Sequence, residues 1–232
     1  MVQRMGADAP TFAGMPDEGI AFLEDLEERN TKEFFDAHKR LFQEQVQAPF
    51  AALLDAAAGR LARTVPDLGR PKVHRIYRDL RFRKDKTPYN TSMSGYVAHR
   101  APAPGVVEVG YYVNVGPAGA YVAGGLYRPA RPELERLRAA AADEATGPEL
   151  AGILRRAGGR GLQAWLDPLQ RTPKPWPADH PRAELLRARS LTLQRHHDRG
   201  AWLSSGELLE RVVADWRALL PLNRWLDRLS EK

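Results

Sequence analysis

Three short stretches in the middle of the chain, residues 93–99, 106–115 and 120–127, are rich in β-branched and aromatic side chains and separated by Gly/Pro turns. That is how strands read, not helices. Gly116-Pro117-Ala118-Gly119, between the last two, reads as a hairpin connection that makes its strands antiparallel neighbours. Outside this section the apolar residues recur at helical spacing. Ile20, Phe22, Leu23 and Leu26 give residues 17–29 an apolar stripe, and Phe34, Phe35, Leu41, Phe42, Val46, Phe50, Leu53, Leu54 and Leu61 do so for a longer stretch. Asn30 or Thr31 can cap that second helix, with Glu33 in its first turn. Pro49 is expected to kink or divide it, because proline lacks a backbone donor and clashes with the preceding turn. Pro132 opens a further helix, expected to end near Gly147-Pro148. Residues 183–188 read as a short helix and 190–196 as another strand. Ser204 or Ser205 starts a closing helix through Leu208, Leu209, Val212, Val213 and Trp216, which Pro221 is expected to break before a last turn around Trp225. Strands lying between helical ends, with no βαβ alternation and no internal repeat, predict an α+β fold: a central, mainly antiparallel sheet packed by N-terminal and C-terminal helices. One domain over residues 1–232 is the simplest organisation, with residues 1–15 a loosely ordered N-terminal segment.

Composition narrows the chemistry. With 43% hydrophobic residues the chain can bury a substantial core. It has no cysteine, which excludes disulfides, thiolate metal ligation and cysteine nucleophiles. No apolar run approaches the roughly 18–20 residues that span a bilayer, so no membrane partner is expected. The opening Met1-Val2-Gln3-Arg4-Met5 lacks the apolar core of a secretory signal. A cytoplasmic location is the expectation by elimination.

The net charge of +6 suits nucleic acid, phosphorylated small molecules or an anionic surface, and its distribution says more than its total. Between residues 70 and 90 stand Arg70, Lys72, Arg75, Arg78, Arg81, Arg83, Lys84 and Lys86 against Asp79 and Asp85. This local excess of six equals that of the whole chain, so the remainder is balanced. Val73, Ile76, Tyr77, Leu80 and Phe82 interleave with the charges and tie the segment to the core, unlike a solvated charge run. Arg75, Arg78 and Arg81 recur every third residue, which aligns them on one face of a helical or 3₁₀ turn. If the segment starts extended, Arg75 and Tyr77 instead share a face opposite Ile76. Converging guanidinium groups suit phosphate or carboxylate, because the planar fork donates two parallel hydrogen bonds. The expected ligand-binding set is therefore Arg75, Arg78, Arg81, Lys84 and Lys86, with Tyr89 and Arg128 at its rim. Asp79 and Asp85 would orient the arginines or supply a general base, and His74, titrating near neutrality, is the other candidate base. The same residues admit three readings: a site for a phosphorylated or carboxylated small molecule, with or without catalysis; a nucleic-acid-binding module; or an internal Arg–Asp network with no ligand.

The run Arg75-Ile76-Tyr77-Arg78-Asp79-Leu80-Arg81-Phe82-Arg83-Lys84-Asp85-Lys86-Thr87-Pro88-Tyr89 closely resembles the signature of domain-of-unknown-function family 2461, a mainly bacterial family of hypothetical proteins. The resemblance extends over nearly the whole chain. It takes in Phe12, Gly14, Pro16, Phe22, Leu23, Leu26, Asn30, Phe35 and His38, then Gly110-Tyr111-Tyr112, Gly124-Gly125-Leu126-Tyr127-Arg128-Pro129 and Pro221-Leu222. Leu80 and Arg83 stand where Thr and Ser are expected, which removes side-chain hydroxyls beside the basic cluster. The resemblance implies a compact α/β-containing fold and carries over no activity.

The six histidines, His38, His74, His99, His180, His196 and His197, form no zincin-type pair. His196 and His197 are neighbours whose side chains point to opposite faces of a strand, so no metal and no cofactor are expected. Tyr111, Tyr112 and Tyr127 can place a ring or hydroxyl beside the basic segment, although alternation sends at least one into the core. Gly124-Gly125, before Arg128, matches neither a Walker loop nor a dinucleotide fingerprint and reads as a tight turn.

Overall fold

The computed structural model describes residues 12–81, 85–104 and 106–230. Phe12 and Met15 are buried, and the Met15 N–H donates to the Leu203 carbonyl at 2.9 Å. Residues 12–15 are thus anchored in the core rather than loosely ordered, while the first eleven residues lie outside the described part. Gly14 makes the anchor fit: its φ is +124°, and a Cβ there would stand 2.2 Å from the Ser204 carbonyl carbon.

Helix α1 (Asp17–Glu28) buries Ile20, Phe22, Leu23 and Leu26, the residues of its apolar stripe. Thr31 caps α2 (Lys32–Ala37) by accepting from the Phe34 N–H at 3.2 Å. A short α3 (Lys39–Leu41) and a π-helical turn (Phe42–Gln47) lead into α4 (Ala48–Ala62). Pro49 falls in the first turn of α4, where its missing N–H costs least. The backbone stays right-handed helical from Leu41 through Ala48, so the run is not divided there; its hydrogen-bond pattern changes from π to α instead.

Six strands follow: β1 (Lys72–Val73), β2 (Met93–Ala98), β3 (Gly110–Gly116), β4 (Gly119–Leu126), β5 (Gln163–Trp165) and β6 (Leu191–Asp198). They form one antiparallel sheet in the order β1-β2-β3-β4-β6-β5. Gly116 pairs with Gly119 across the β3–β4 turn, which bears out the hairpin. Two further helices, α5 (Arg131–Ala142) and α6 (Thr146–Gly158), connect β4 to β5. Gly147-Pro148 opens α6 rather than closing α5, because the first turn of a helix needs no N–H from proline. After the short α7 (Ala183–Leu186) and β6, the closing α8 (Glu207–Asp227) runs through Pro221 without a break. Pro221 is exposed while Leu219, Leu220, Leu222 and Trp225 around it are buried, so packing on the inner side carries the helix past the lost hydrogen bond.

Helices α4, α6 and α8 pack against the sheet. Along β3, Tyr111, Val113 and Val115 are buried, whereas Tyr112 and Asn114 are only half-buried. The first set meets the helices and the second set faces away from them. Buried apolar side chains from Phe12 to Leu226 join in one cluster on the helical side. The fold is therefore α+β, a sheet whose N-terminal and C-terminal helices cover one face.

Candidate functional site

The basic segment begins as the edge strand β1, with Lys72 opposite Tyr96 and Val73 opposite Gly95. It continues extended: the His74 N–H donates to the Ser94 carbonyl at 2.8 Å. Tyr77 then bridges Tyr89, the Arg78 N–H donates to the Pro88 carbonyl at 2.9 Å and the Asn90 N–H to the Ile76 carbonyl at 2.8 Å. Residues 76–78 and 88–90 are thus two antiparallel arms, and residues 79–81 and 85–87 continue from them into the tip, whose residues 82–84 lie outside the described part. Asn30 fastens the second arm from outside. Its Nδ2 donates to the Tyr89 carbonyl and its Oδ1 accepts from the Tyr89 N–H, both at 3.0 Å. No helical turn forms in the first arm, and the extended alternative applies: Ile76 is buried, with Arg75 and Tyr77 exposed on either side of it.

The three arginines do not converge. Arg78, with only 15% of its side chain exposed, donates to Asp85 Oδ2 at 2.7 Å and to the Thr87 hydroxyl. Asp85 also accepts from the Thr87 N–H and hydroxyl, both at 2.9 Å. Those two bonds, followed by Arg78, hold its carboxyl below the usual carboxylate range. Arg81 turns to Asp79, through Nε at 3.0 Å and Nη2 at 2.7 Å, and is 77% exposed. Lys86 donates to the Leu80 carbonyl at 3.0 Å, which closes the tip on itself. Lys84 lies outside the described residues. Arg75 is exposed, and no side-chain partner holds it among the described residues. The carboxylates placed to orient the arginines for a ligand have taken them as partners, each at short range in the same tip.

Two rim positions also fall elsewhere. Tyr89 is a core residue, 3% exposed and stacked on Phe35 at 4.1 Å, because the alternation that exposes Tyr77 turns it inward. Burial pushes its hydroxyl up. Arg128 follows Leu126, which is paired with Leu191 at the end of the sheet away from Met93 and Val115. There its N–H donates to the Ser190 hydroxyl at 2.9 Å and its guanidinium lies 5.3 Å from the Tyr127 ring centre. Arg128 is thus distant from the basic tip. His74 is half-buried with Nδ1 3.1 Å from the Ser94 hydroxyl, and burial, then Lys72, holds it below its ordinary value.

A second set of residues was invisible in the sequence. On the sheet face turned away from the helices, the register places Ser94, Asn114, Tyr121 and His196 in one rung, and Tyr96, Tyr112, Ala123 and Gln194 in the next. The Tyr112 and Tyr121 ring centres are 5.9 Å apart, Tyr121 and His196 4.6 Å, and His74 and Tyr112 6.2 Å. The Tyr121 hydroxyl donates to Gln194 Oε1 at 2.7 Å. Tyr96 lies across Gly110, where a Cβ would come within 2.5 Å of its ring. Of the neighbouring tyrosines, Tyr112 joins this face and Tyr111 the core, where its hydroxyl meets His99 at 2.8 Å. Alternation along each strand was readable beforehand; the cross-strand register that lines up Tyr112, Tyr121 and His196 was not.

Two other polar groupings stand apart from the sheet's open face. Asp215 of α8, 2% exposed, takes Arg195 at 2.6 Å and His197 at 2.7 Å. A pocket of about 220 Å³ beside the end of α8 contains His99, Asp67 and Arg224, with Arg100 paired to Asp227 at 2.5 Å. Among the described residues no cluster is placed to hold a metal ion, and no helix is long and apolar enough to cross a membrane.

Fold and site together define an α+β protein with a one-sided antiparallel sheet and a self-closed basic loop at its edge. The chain belongs to the family described as conserved hypothetical protein (DUF2461), whose profile matches residues 18–225. No curated protein and no solved structure matches it.

Proposed function

We propose that this protein binds an extended anionic ligand along the sheet edge built by β1 and the basic loop. The observation that carries the reading is the split within the basic segment: Arg78 and Arg81 are engaged by Asp85 and Asp79, while Arg70, Lys72 and Arg75 stay exposed along the strand that leads into the loop. In this reading the Arg78–Asp85–Thr87 cluster and the Lys86–Leu80 bond shape the loop, and Arg70, Lys72 and Arg75 meet the ligand. A single phosphate or carboxylate needs several donors converging on one point. A row of separate cations suits a ligand with many charges, each held as a point contact.

Binding of inorganic polyphosphate measured against salt concentration tests this. Affinity falls as salt rises, because each neutralised charge releases condensed counterions. Arg75→Gln lowers the log–log slope by somewhat less than one unit, about 0.7 by analogy with single strands, and leaves the melting temperature unchanged. Arg78→Ala instead lowers the melting temperature, since its partners lose the group that closes the loop. A salt-independent affinity, or a slope untouched by Arg75→Gln, removes the reading.

A further inference from the structure

We infer that the open face of the sheet is a stacking platform for single-stranded nucleic acid, fed by the basic edge. The inference rests on the edge-binding reading above and gives its ligand a chemical class. Polyphosphate chemistry alone leaves the open face without a role. That face carries a row of rings: His74 beside β1, Tyr112 on β3, Tyr121 on β4 and His196 on β6. An unpaired base has two π-faces to cover, and stacking on aromatic side chains is tolerant of sequence.

Three features select an extended strand over a lone base. The row crosses from Lys72 on β1, through β2, β3 and β4, to His196 on β6. Four inter-strand steps of about 4.8 Å make it roughly 19 Å long, more than one base can cover. The charges suit a backbone running with it. Lys72, opposite Tyr96, is exposed on this face, and Arg75 is exposed just beyond it. Arg128 lies over Tyr127 beyond the far end of β4, off the line of the row, where Tyr127 is 61% exposed and stacks on Trp165 at 5.6 Å. Acidic groups border the face as well, Glu108, which acts on Tyr96, and Asp198 at the Gly119 rung. Finally, polar groups stand between the rings, with Ser94, Asn114 and Gln194 half-buried on the same face. They offer donors and acceptors to base edges without filling the space above the rings.

The experiment compares three probes of similar charge: a 12-nucleotide oligo-dT, a 12-nucleotide oligo-U and inorganic polyphosphate of the same length. Each is titrated against the full chain and against Tyr112→Leu, Tyr121→Leu and Tyr121→Phe. The expected result is tighter binding of the oligonucleotides than of polyphosphate. Loss of one ring weakens oligonucleotide binding roughly 5- to 150-fold, leaves polyphosphate binding unchanged, and is recovered in Tyr121→Phe. Preference for oligo-U over oligo-dT assigns the ligand as RNA, and the reverse assigns DNA; either supports the platform. Unaltered polyphosphate binding certifies the variant's fold. Equal binding of all three probes, unaffected by the tyrosine variants, overturns the platform while the edge reading stands. Absence of binding to any probe overturns both. A dimer in sedimentation that Tyr112→Leu or Tyr121→Leu dissociates assigns the face to a second copy of the chain and overturns the platform as well.

Discussion

Asp215 has no sequence signal of its own, yet it is the most consequential charge in the core. It occupies one position in an inner stripe of α8 that is apolar but for it and Asn223, and its partners lie 20 and 18 residues upstream on β6. Nothing local announces them. A buried carboxylate is tolerable only when paired, and here Arg195 takes one oxygen and His197 the other. Arg195 also reaches the Arg160 and Gly161 carbonyls, so the cluster ties α8, β6 and the turn before β5 together. Asp215→Ala leaves a largely buried guanidinium and imidazole without their acceptor, and is expected to cost about 3–5 kcal/mol in urea unfolding. Asp215→Asn keeps the shape and part of the hydrogen bonding and should cost less. Equal stability of the alanine variant and the parent would mean that solvent replaces the carboxylate freely. Asn30 shows the same limit of reading. Its side chain was a candidate helix cap, but Thr31 takes that role and Asn30 holds Tyr89 instead, 59 residues away. Likewise the basic segment was visible as charge, whereas the pairing of its arginines with Asp79 and Asp85 depended on a loop geometry that spacing alone did not specify.

Elements whose side-chain period is pronounced were readable: α1, the π-interrupted run into α4, the β3–β4 hairpin and β6 all stand where periodicity places them. Misreadings gather at prolines and at short edges. Strand β5 is three residues on the sheet's outer edge, too short to establish a period of two. Pro148 and Pro221 were both read as ending a helix, yet one lies in the first turn of α6 and the other inside α8, since position within a turn and the packing around it decide what proline does. Pro221 was expected to end the helix, yet α8 continues for six residues beyond it. Pro221→Ala restores an N–H that can donate to the Arg217 carbonyl and relieves the ring's crowding of the preceding turn. Because the site is exposed, little packing is lost. The variant should gain on the order of 1–3 kcal/mol in denaturant unfolding, with an unchanged dependence on denaturant concentration. A loss of stability would indicate that α8 is bent at Pro221 to fit the sheet.

For the molecule as a whole, helices α4, α6 and α8 pack against the sheet on one side, and Lys72 of the basic segment stands on the other. That architecture sets how stability responds to acid. His99 sits at the core edge beside the pocket at the end of α8, and His74 on the open face beside β1. Burial holds both below their ordinary value of 6.5. For His99, Arg224 and Arg100 push the same way, while Asp227 pulls it up by less than burial pushes it down. For His74 the second push comes from Lys72. In each case the folded chain favours the neutral ring, and the unfolded chain binds the proton more readily. Their contribution is therefore complete above about pH 6.5 and is lost as pH falls through the lower folded values. Asp85 and Asp143 are also held down, but from 3.8. Their contribution fades only in more acidic solution, so the two windows separate. The melting temperature should stay level from about pH 8 to 7 and decline as pH falls below about 6.5. In His99→Gln that decline should be shallower, because glutamine can still reach the Tyr111 hydroxyl but takes up no proton. A decline equally steep in His99→Gln and in His74→Gln would place the acid-sensitive groups elsewhere. A melting temperature that rises on acidification would reverse the sign of the argument and show that the folded chain, not the unfolded one, holds those protons more tightly.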